Sequence, residues 1–364
     1  MLAKIYYPIV SLIIFSCFPV YSQEVKTVMS NNPKYSDKEK FIDFTLLYKI
    51  GLDINKNIYM TSPKMPDFDS KNCLYIPDIY QSKIFVFNDK GQYIRTLGNN
   101  GEGPTDLLNP ESIKIIRDTL YIYEQHKGIK VWDVTGKYIK YILTNIPNCM
   151  YINKYNEDMF CVGINNSIVN GKIVLVNTLW RYNDKLNEKY KIAYFNQDFI
   201  MNADFAGSLM VSLDSKGYLY YLEDINKHQI TKYDNTGKPL LRFGIKNYKP
   251  EKLSKDFIKI RNEYYKMFNR YEEFLKKEYP PVISQIFIDS QDYVWVISGN
   301  INGWPYMDKD YMVTIDIFNS NGEYLYRYKT NIVTGVSIIS NNKYCRVPTK
   351  YDDNTYVYRI NYYK

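Results

Sequence analysis

The chain has 364 residues, a net charge of +8 and only 2 His, with Lys and Arg mixed among Asp and Glu rather than gathered in a block. That is the pattern of a solvated surface, and it weighs against a nucleic acid as partner. The 39 Tyr and 17 Phe suit strands with one buried and one wet face.

The chain opens with a targeting segment at 1–22. Lys4 gives a positive start, 5–15 is an apolar core too short to span a membrane, and Ser22 precedes Gln23 at the cut. A rival cut before Cys17 would leave a lipid anchor on that thiol, although Phe15 is bulky for such a site. Either cut places the mature chain outside the cytoplasm, in the periplasm or associated with the outer membrane, with no transmembrane span. Residues 23–40 are polar and read as a loose lead-in; 41–364 read as one β domain.

The stretch 74–110, LYIPDIYQSKIFVFNDKGQYIRTLGNNGEGPTDLLNP, sets the pattern of that domain. Runs at 74–78 and 84–88 are dense in aromatic and β-branched residues, which favour strands. Gly91 supplies the positive φ of a tight turn, and 93–97 is the returning strand. The unit Asp-x-x-Gly-x-aromatic-apolar has near copies at 87–97, 132–141, 233–242 and 318–328, with turn glycines Gly91, Gly136, Gly237 and Gly322. A degraded copy lies at 181–190. The first two glycines are about 45 residues apart, the next gap is about twice that, and the last is one unit lengthened by an insertion, which is the period of a four-stranded propeller blade.

A second hairpin type, apolar-Asp-x-x-x-x-apolar-aromatic, alternates with the first at 213–220 and 288–295, with a looser copy at 52–59. The first blade is therefore expected to begin at 52–60, with 62–72 as a loop. The second spans 112–143, the third 146–195 (the least regular), the fourth 205–243, the fifth 282–329 and the sixth 333–363. Between the fourth and fifth, Phe257, Ile260, Tyr264, Met267, Phe268, Tyr271 and Phe274 recur at helical spacing before Pro280-Pro281. They predict a helical insertion over about 248–280. The sixth blade lacks a fourth strand of its own, and 41–50 is expected to supply it, which removes an exposed edge.

The run Leu97-Gly98-Asn99-Asn100-Gly101-Glu102-Gly103-Pro104 resembles the Gly-x-Gly-Pro loop of NHL-like repeats. Together with 280–296 it more closely resembles the six-bladed β-propeller proteins of Bacteroides-like bacteria. The likeness covers nearly the whole mature chain. It departs at Thr105-Asp106-Leu107, where that family often has Gly-Glu-Tyr or Gly-Glu-Phe. The resemblance implies an all-β, six-bladed β-propeller, here with the helical insertion between blades four and five, and an exported location. It implies no established reaction.

Strand alternation puts the loop between a blade's second and third strands on the same face as the connections between blades. Glu102, Asp106, Glu124, His126, Glu223, Asp224, His228, Trp304 and Tyr306 fall on that face and form the candidate ligand-binding set. Structural roles compete with this reading: Asp78, Glu124 and Glu223 hold similar repeat positions and would cap turns. Trp304-Pro305-Tyr306 would stack on a sugar ring or pack on the insertion. Gly101-Glu102-Gly103-Pro104 shapes a crossover and is no phosphate loop, since no Gly-Lys-Ser/Thr follows. Gly-x-Ser-x-Gly and His-Glu-x-x-His do not occur in the sequence. No catalytic residue, metal ligand or cofactor is predicted. The preferred function is a non-catalytic binding propeller of the cell envelope with a glycan or protein partner. The alternative is a lyase or lactonase using carboxylates and a divalent metal at the channel mouth.

Cys73, Cys149, Cys161 and Cys345 follow Cys17 with no metal-ligand spacing. A hairpin centred on Tyr155 would oppose Cys149 and Cys161 at a separation that permits a disulfide in an oxidising compartment. The alternative is two free thiols in the core.

Overall fold

The computed structural model describes residues 25–36, 39–51, 58–124, 127–142, 149–156, 158–169, 172–183, 188–196, 211–222, 227–250, 252, 255, 258–259, 262–263, 279, 282–283, 285–298, 313–332, 337–347 and 354–363. Two strands, β1 (Lys26–Ser30) and β2 (Ile42–Ile50), precede the first blade. Blade one holds β3 (Asp67–Phe68), β4 (Leu74–Asp78), β5 (Lys83–Phe87) and β6 (Tyr93–Leu97). Blade two holds β7 (Pro110–Ile116), β8 (Thr119–Glu124), β9 (Gly128–Asp133) and β10 (Tyr138–Ile142). Blade three holds β11 (Cys149–Tyr155), β12 (Asp158–Val169), β13 (Lys172–Asn183) and β14 (Glu188–Asn196). Blade four holds β15 (Val211–Leu213), β16 (Leu219–Tyr221), β17 (Gln229–Tyr233) and β18 (Pro239–Ile245). Blade five holds β19 (Gln285–Ile288), β20 (Val294–Ser298), β21 (Val313–Phe318) and β22 (Tyr324–Thr330). Blade six holds β23 (Ser337–Ser340), β24 (Lys343–Arg346) and β25 (Thr355–Tyr362), completed by β2.

Among the described residues six sheets thus stand in chain order, each with four antiparallel strands. Inner strands of neighbouring blades abut: β3 with β7, β7 with β11, β15 with β19, β19 with β23, and β23 with β3. Side chains stitch these inner strands together. Asp67, fully buried, accepts from the Ile115 amide of the next blade at 2.8 Å and meets Lys114 at 2.9 Å. Ser212 Oγ accepts from Ile288 N in the same way, at 3.1 Å.

The inner hairpins share one device. Asp69, Asp214 and Asp289 each accept, through Oδ1, from the amides two and four residues on, which closes the turn. Oδ2 of each takes a hydrogen bond from the aromatic side chain six residues on: Tyr75, Tyr220 and Trp295. The motif in blade one is thus Phe68-Asp69 to Leu74-Tyr75. The expected start at 52–60 is corrected to Asp67–Phe68, and the strand lies inside the supposed loop 62–72. Residues 52–57 lie outside the described residues.

The outer hairpins use Asn88, Asp133, Asp234 and Asn319, whose side-chain oxygens accept from the amides two and four residues on. Their turn glycines have positive φ, and a bulge follows in blades one, two, four and five. Gly91 has φ 77°, and a Cβ there would lie 2.5 Å from the ring of Tyr48 on β2. Gly91→Ala would strain the turn and push on the closing strand. A loss of about 1–3 kcal/mol is expected, read from chemical denaturation; an unchanged midpoint would show that the ring moves freely.

The N-terminal segment is a strap rather than a loose lead-in. β1 adds a fifth strand, parallel to β18, on the outer edge of blade four. Lys34 N and Tyr35 N then donate to Tyr324 O and Leu325 O of blade five. Phe41 packs against Tyr35, Tyr293 and Tyr326. β2 finally pairs antiparallel with β25, the closure expected from the sequence.

Three further expectations meet the structure. Blade three carries register shifts in two of its three strand pairings, while β12 and β13 run 12 residues each. Most of the helical insertion, 248–280, lies outside the described residues. Lys255, Ile258, Lys259, Asn262 and Glu263 within it have helical backbone, but no helix is among the described elements. The disulfide is not formed, because Cys161 is a buried free thiol. Tyr155 pairs with Asp158, so the hairpin is centred beyond Tyr155, and a bulge follows Cys149. The register therefore opposes Cys161 to Ile152 and Cys149 to Gly163.

Candidate functional site

The glycine-rich loop folds back on itself and lies against blade two. Leu107 N donates to Asn99 O, and Gly101 N to Leu107 O. Asp106 Oδ2 accepts from Gly103 N at 3.1 Å. A Cβ on Gly101 or Gly103 would come within 2.7 Å of that carboxylate, so a side chain at either position would break the wrap. Asp106 is thus committed to holding the loop.

Lys130 on β9 anchors the loop from below. Its ammonium is nearly buried and donates to Asp106 O at 2.6 Å and Gly103 O at 3.1 Å. It also lies 3.3 Å from Glu124 Oε1. A buried cation is tolerated only with such partners. Glu124 Oε1 accepts from Leu108 N at 2.6 Å, as the turn-capping reading proposed. Glu124 Oε2 is buried and has no hydrogen-bond partner among the described residues. Trp132 Nε1 donates to Pro104 O at 3.1 Å.

Between loop and blade lies a cleft of about 270 Å³, lined by Glu102, Gly103, Pro104, Leu108, Glu124, Lys127, Lys130, Tyr138 and Tyr141. Glu102 and Lys127 pair across its exposed rim at 2.5 Å. The hydrogen bond from Lys127 holds the Glu102 carboxyl below its ordinary range, and the Lys127 ammonium is raised by the same bond. Burial and then the Glu124 charge push the Tyr141 phenol up.

His228 lies elsewhere and is not a rim residue. It is buried between blades four and five, with Nε2 3.0 Å from Asp316 Oδ2. An ionised carboxylate only accepts, so Nε2 carries the proton. Asp316 also accepts from Tyr324 Oη at 2.6 Å and from Arg327 at 2.8 and 3.2 Å. The His228 ring packs 4.7 Å from that of Tyr248. His228 belongs to a buried polar lock between blades. The physical reason is position: His228 immediately precedes β17, within hydrogen-bond reach of Asp316 on β21 of the next blade.

Of the predicted set, the structure brings Glu102, Asp106 and Glu124 together and removes His228. His126, Glu223, Asp224, Trp304 and Tyr306 lie outside the described residues. Sequence reading missed Lys127, Lys130, Tyr138 and Tyr141. A signal existed: a glycine loop with an internal acid needs a donor from the blade it crosses, and Lys130 is the cation on the adjoining strand.

Residues 67–222 match the DUF5128 family, described as a 6-bladed beta-propeller. The match begins at Asp67, where the first inner strand begins, and the ring holds six sheets. The chain is a six-bladed β-propeller. This bears out the likeness read from its glycine-rich loop and hairpins. Among solved structures the propeller is similar to a member of the DUF4221 family from Bacteroides vulgatus ATCC 8482. That pair has 12% identity and a TM-score of 0.57, with 89% of this chain and 99% of the other covered. It is also similar to a candidate exported protein, BF0058, from Bacteroides fragilis NCTC 9343 (12% identity, TM-score 0.52, coverage 93% and 100%). A gluconolactonase from Xanthomonas campestris matches at 9% identity and a TM-score of 0.49, over 88% of this chain and 90% of the other. The two Bacteroides likenesses show the fold. No curated protein matches the chain. No helix among the described residues is long and apolar enough to cross a membrane.

Proposed function

We propose that this propeller is an exported, non-catalytic binding protein of the cell envelope, whose glycan or protein ligand docks on the face carrying the 102–141 cleft. The cleft supports this reading most: buried, paired charges hold its walls, while its mouth offers an aromatic ring and an exposed ion pair. Export is supported by Lys4 and the apolar run after it. The lyase or lactonase alternative needs acids converging on a metal. Among the described residues no group of three or more His, Cys, Asp or Glu is placed to hold one.

The test uses protein purified from the envelope fraction, its first residue read by mass spectrometry as Gln23 or a lipidated Cys17. Hydrogen exchange is then measured with and without a ligand found on a glycan array or by crosslinking in envelope extract. Protection is expected in 99–109 and 127–142. Protection confined to the hairpin turns of the opposite face, or an intact Met1, would overturn the proposal. Stoichiometric divalent metal in the purified protein would favour the enzyme.

A further inference from the structure

We infer that the cleft between the glycine-rich loop and blade two is a subsite for a single neutral sugar residue. The inference rests on the binding reading above and names the ligand class for this site. Its starting point is Glu124. The side chain is 1% exposed, Oε1 is occupied by Leu108 N and Lys130, and Oε2 has no hydrogen-bond partner among the described residues. A buried carboxylate oxygen without a donor is costly and uncommon in folded proteins. Glu124 lines the cleft, and a ligand hydroxyl entering it is the donor this oxygen would take.

Charge decides what kind of donor. Lys130 already balances Glu124, and Lys127 balances Glu102. A ligand cation would meet two ammonium groups, and a ligand anion would meet two carboxylates. A neutral hydroxyl fits both and takes acceptors and donors from the same walls. Tyr138 and Tyr141 add aromatic surface, and Pro104 and Leu108 add apolar surface. Tyr141 is 40% exposed, so its ring is available to the C–H face of a sugar. The volume of about 270 Å³ lies just below the roughly 300–1,000 Å³ of sites for drug-sized ligands, which suits one ring rather than an extended chain. The Glu102–Lys127 pair is exposed at the rim and costs little to open.

Full-length mature protein is titrated with glucose, galactose, mannose, N-acetylglucosamine and cellobiose, and with glucuronic acid and glucosamine as charged controls. Binding is read by calorimetry and by NMR shifts of residues 99–142. At least one neutral sugar is expected to bind, with the charged controls weaker. Tyr141→Ala should weaken binding about tenfold or more with an unchanged unfolding midpoint, since its ring is partly exposed. Glu124→Gln keeps an acceptor for Leu108 N but turns the free oxygen into a donor, and should weaken binding by a similar factor. Preference for a charged control, neutral-sugar binding undiminished in both variants, or no binding by any neutral sugar each overturns the subsite. None of these touches the broader reading, which fails separately if ligand protection maps to the opposite face.

Discussion

Asp316→Ala is expected to destabilise the propeller by about 3–5 kcal/mol, the usual cost of breaking a buried ion pair by removing one partner. Asp316 is fully buried and is the single acceptor that His228, Tyr324 and Arg327 share. Its loss leaves a guanidinium packed on Tyr248 and a buried imidazole whose Nδ1 already lacks a partner among the described residues. The lock joins blade four, through His228, to blade five, so the loss falls on the contact between blades. Urea denaturation with two independent probes measures it; a loss under about 1 kcal/mol would show the cluster contributes little.

The pH dependence follows with a definite sign. Burial opposes ionisation of Asp316, but the hydrogen bonds and charges of His228 and Arg327 outweigh it and hold the carboxyl below its ordinary value of 3.8. The ionised group therefore contributes its full stability above pH 3.8 and loses it as pH falls through the lower folded value. Asp289 has the opposite sign. Burial pushes its carboxyl up despite bonds from Tyr362 and Trp295. Its contribution is present below the ordinary value and lost as pH rises through the folded one. Asp316→Ala should thus flatten the loss of stability below pH 3.8. A variant whose acid limb matches the wild type would show that other carboxylates control it.

Deleting residues 41–50 is expected to abolish cooperative folding and cause aggregation. β2 is the outer strand of blade six, and without it β25 presents an open row of amides and carbonyls. The deletion also removes Phe44, whose ring meets Trp295 and Tyr328 of blade five and Tyr344 and Tyr358 of blade six at 5.8–6.4 Å. The single change Phe44→Ala isolates that packing and should cost about 3–5 kcal/mol. A soluble deletion variant with one sharp thermal transition would refute the closure as the element that holds the ring.

The turn glycines and the Asp-capped hairpins were legible because they are local. Gly91, Gly136, Gly237 and Gly322 occupy positive φ, and only nearby sequence decides that. The closing strand was legible from arithmetic, since 333–363 holds three strands where a blade needs four. Blade one was misread because 52–59 and 68–75 both fit the inner-hairpin pattern. Only the bonds of Asp69 to Lys71, Cys73 and Tyr75 separate them. The lead-in was misread because β1 is polar. It is held by parallel pairing to an edge some 200 residues away, and composition carries no sign of that.

The candidate site divides in the same way. Sequence alone placed Glu102, Asp106 and Glu124 on one face, because strand alternation assigns loops to faces without knowledge of packing. It determined the all-β repeat and the turn chemistry, and it pointed to six blades. These rest on interactions within a few residues and on a period that repeats. Tertiary structure decided what each acid does: Asp106 ties the loop, Glu124 caps it and keeps one oxygen free, and His228 leaves the surface for Asp316. Those roles depend on Lys130 and Asp316 arriving from other strands. Burial and pairing across 24 and 88 residues are set by how blades stack, not by the residues beside each group.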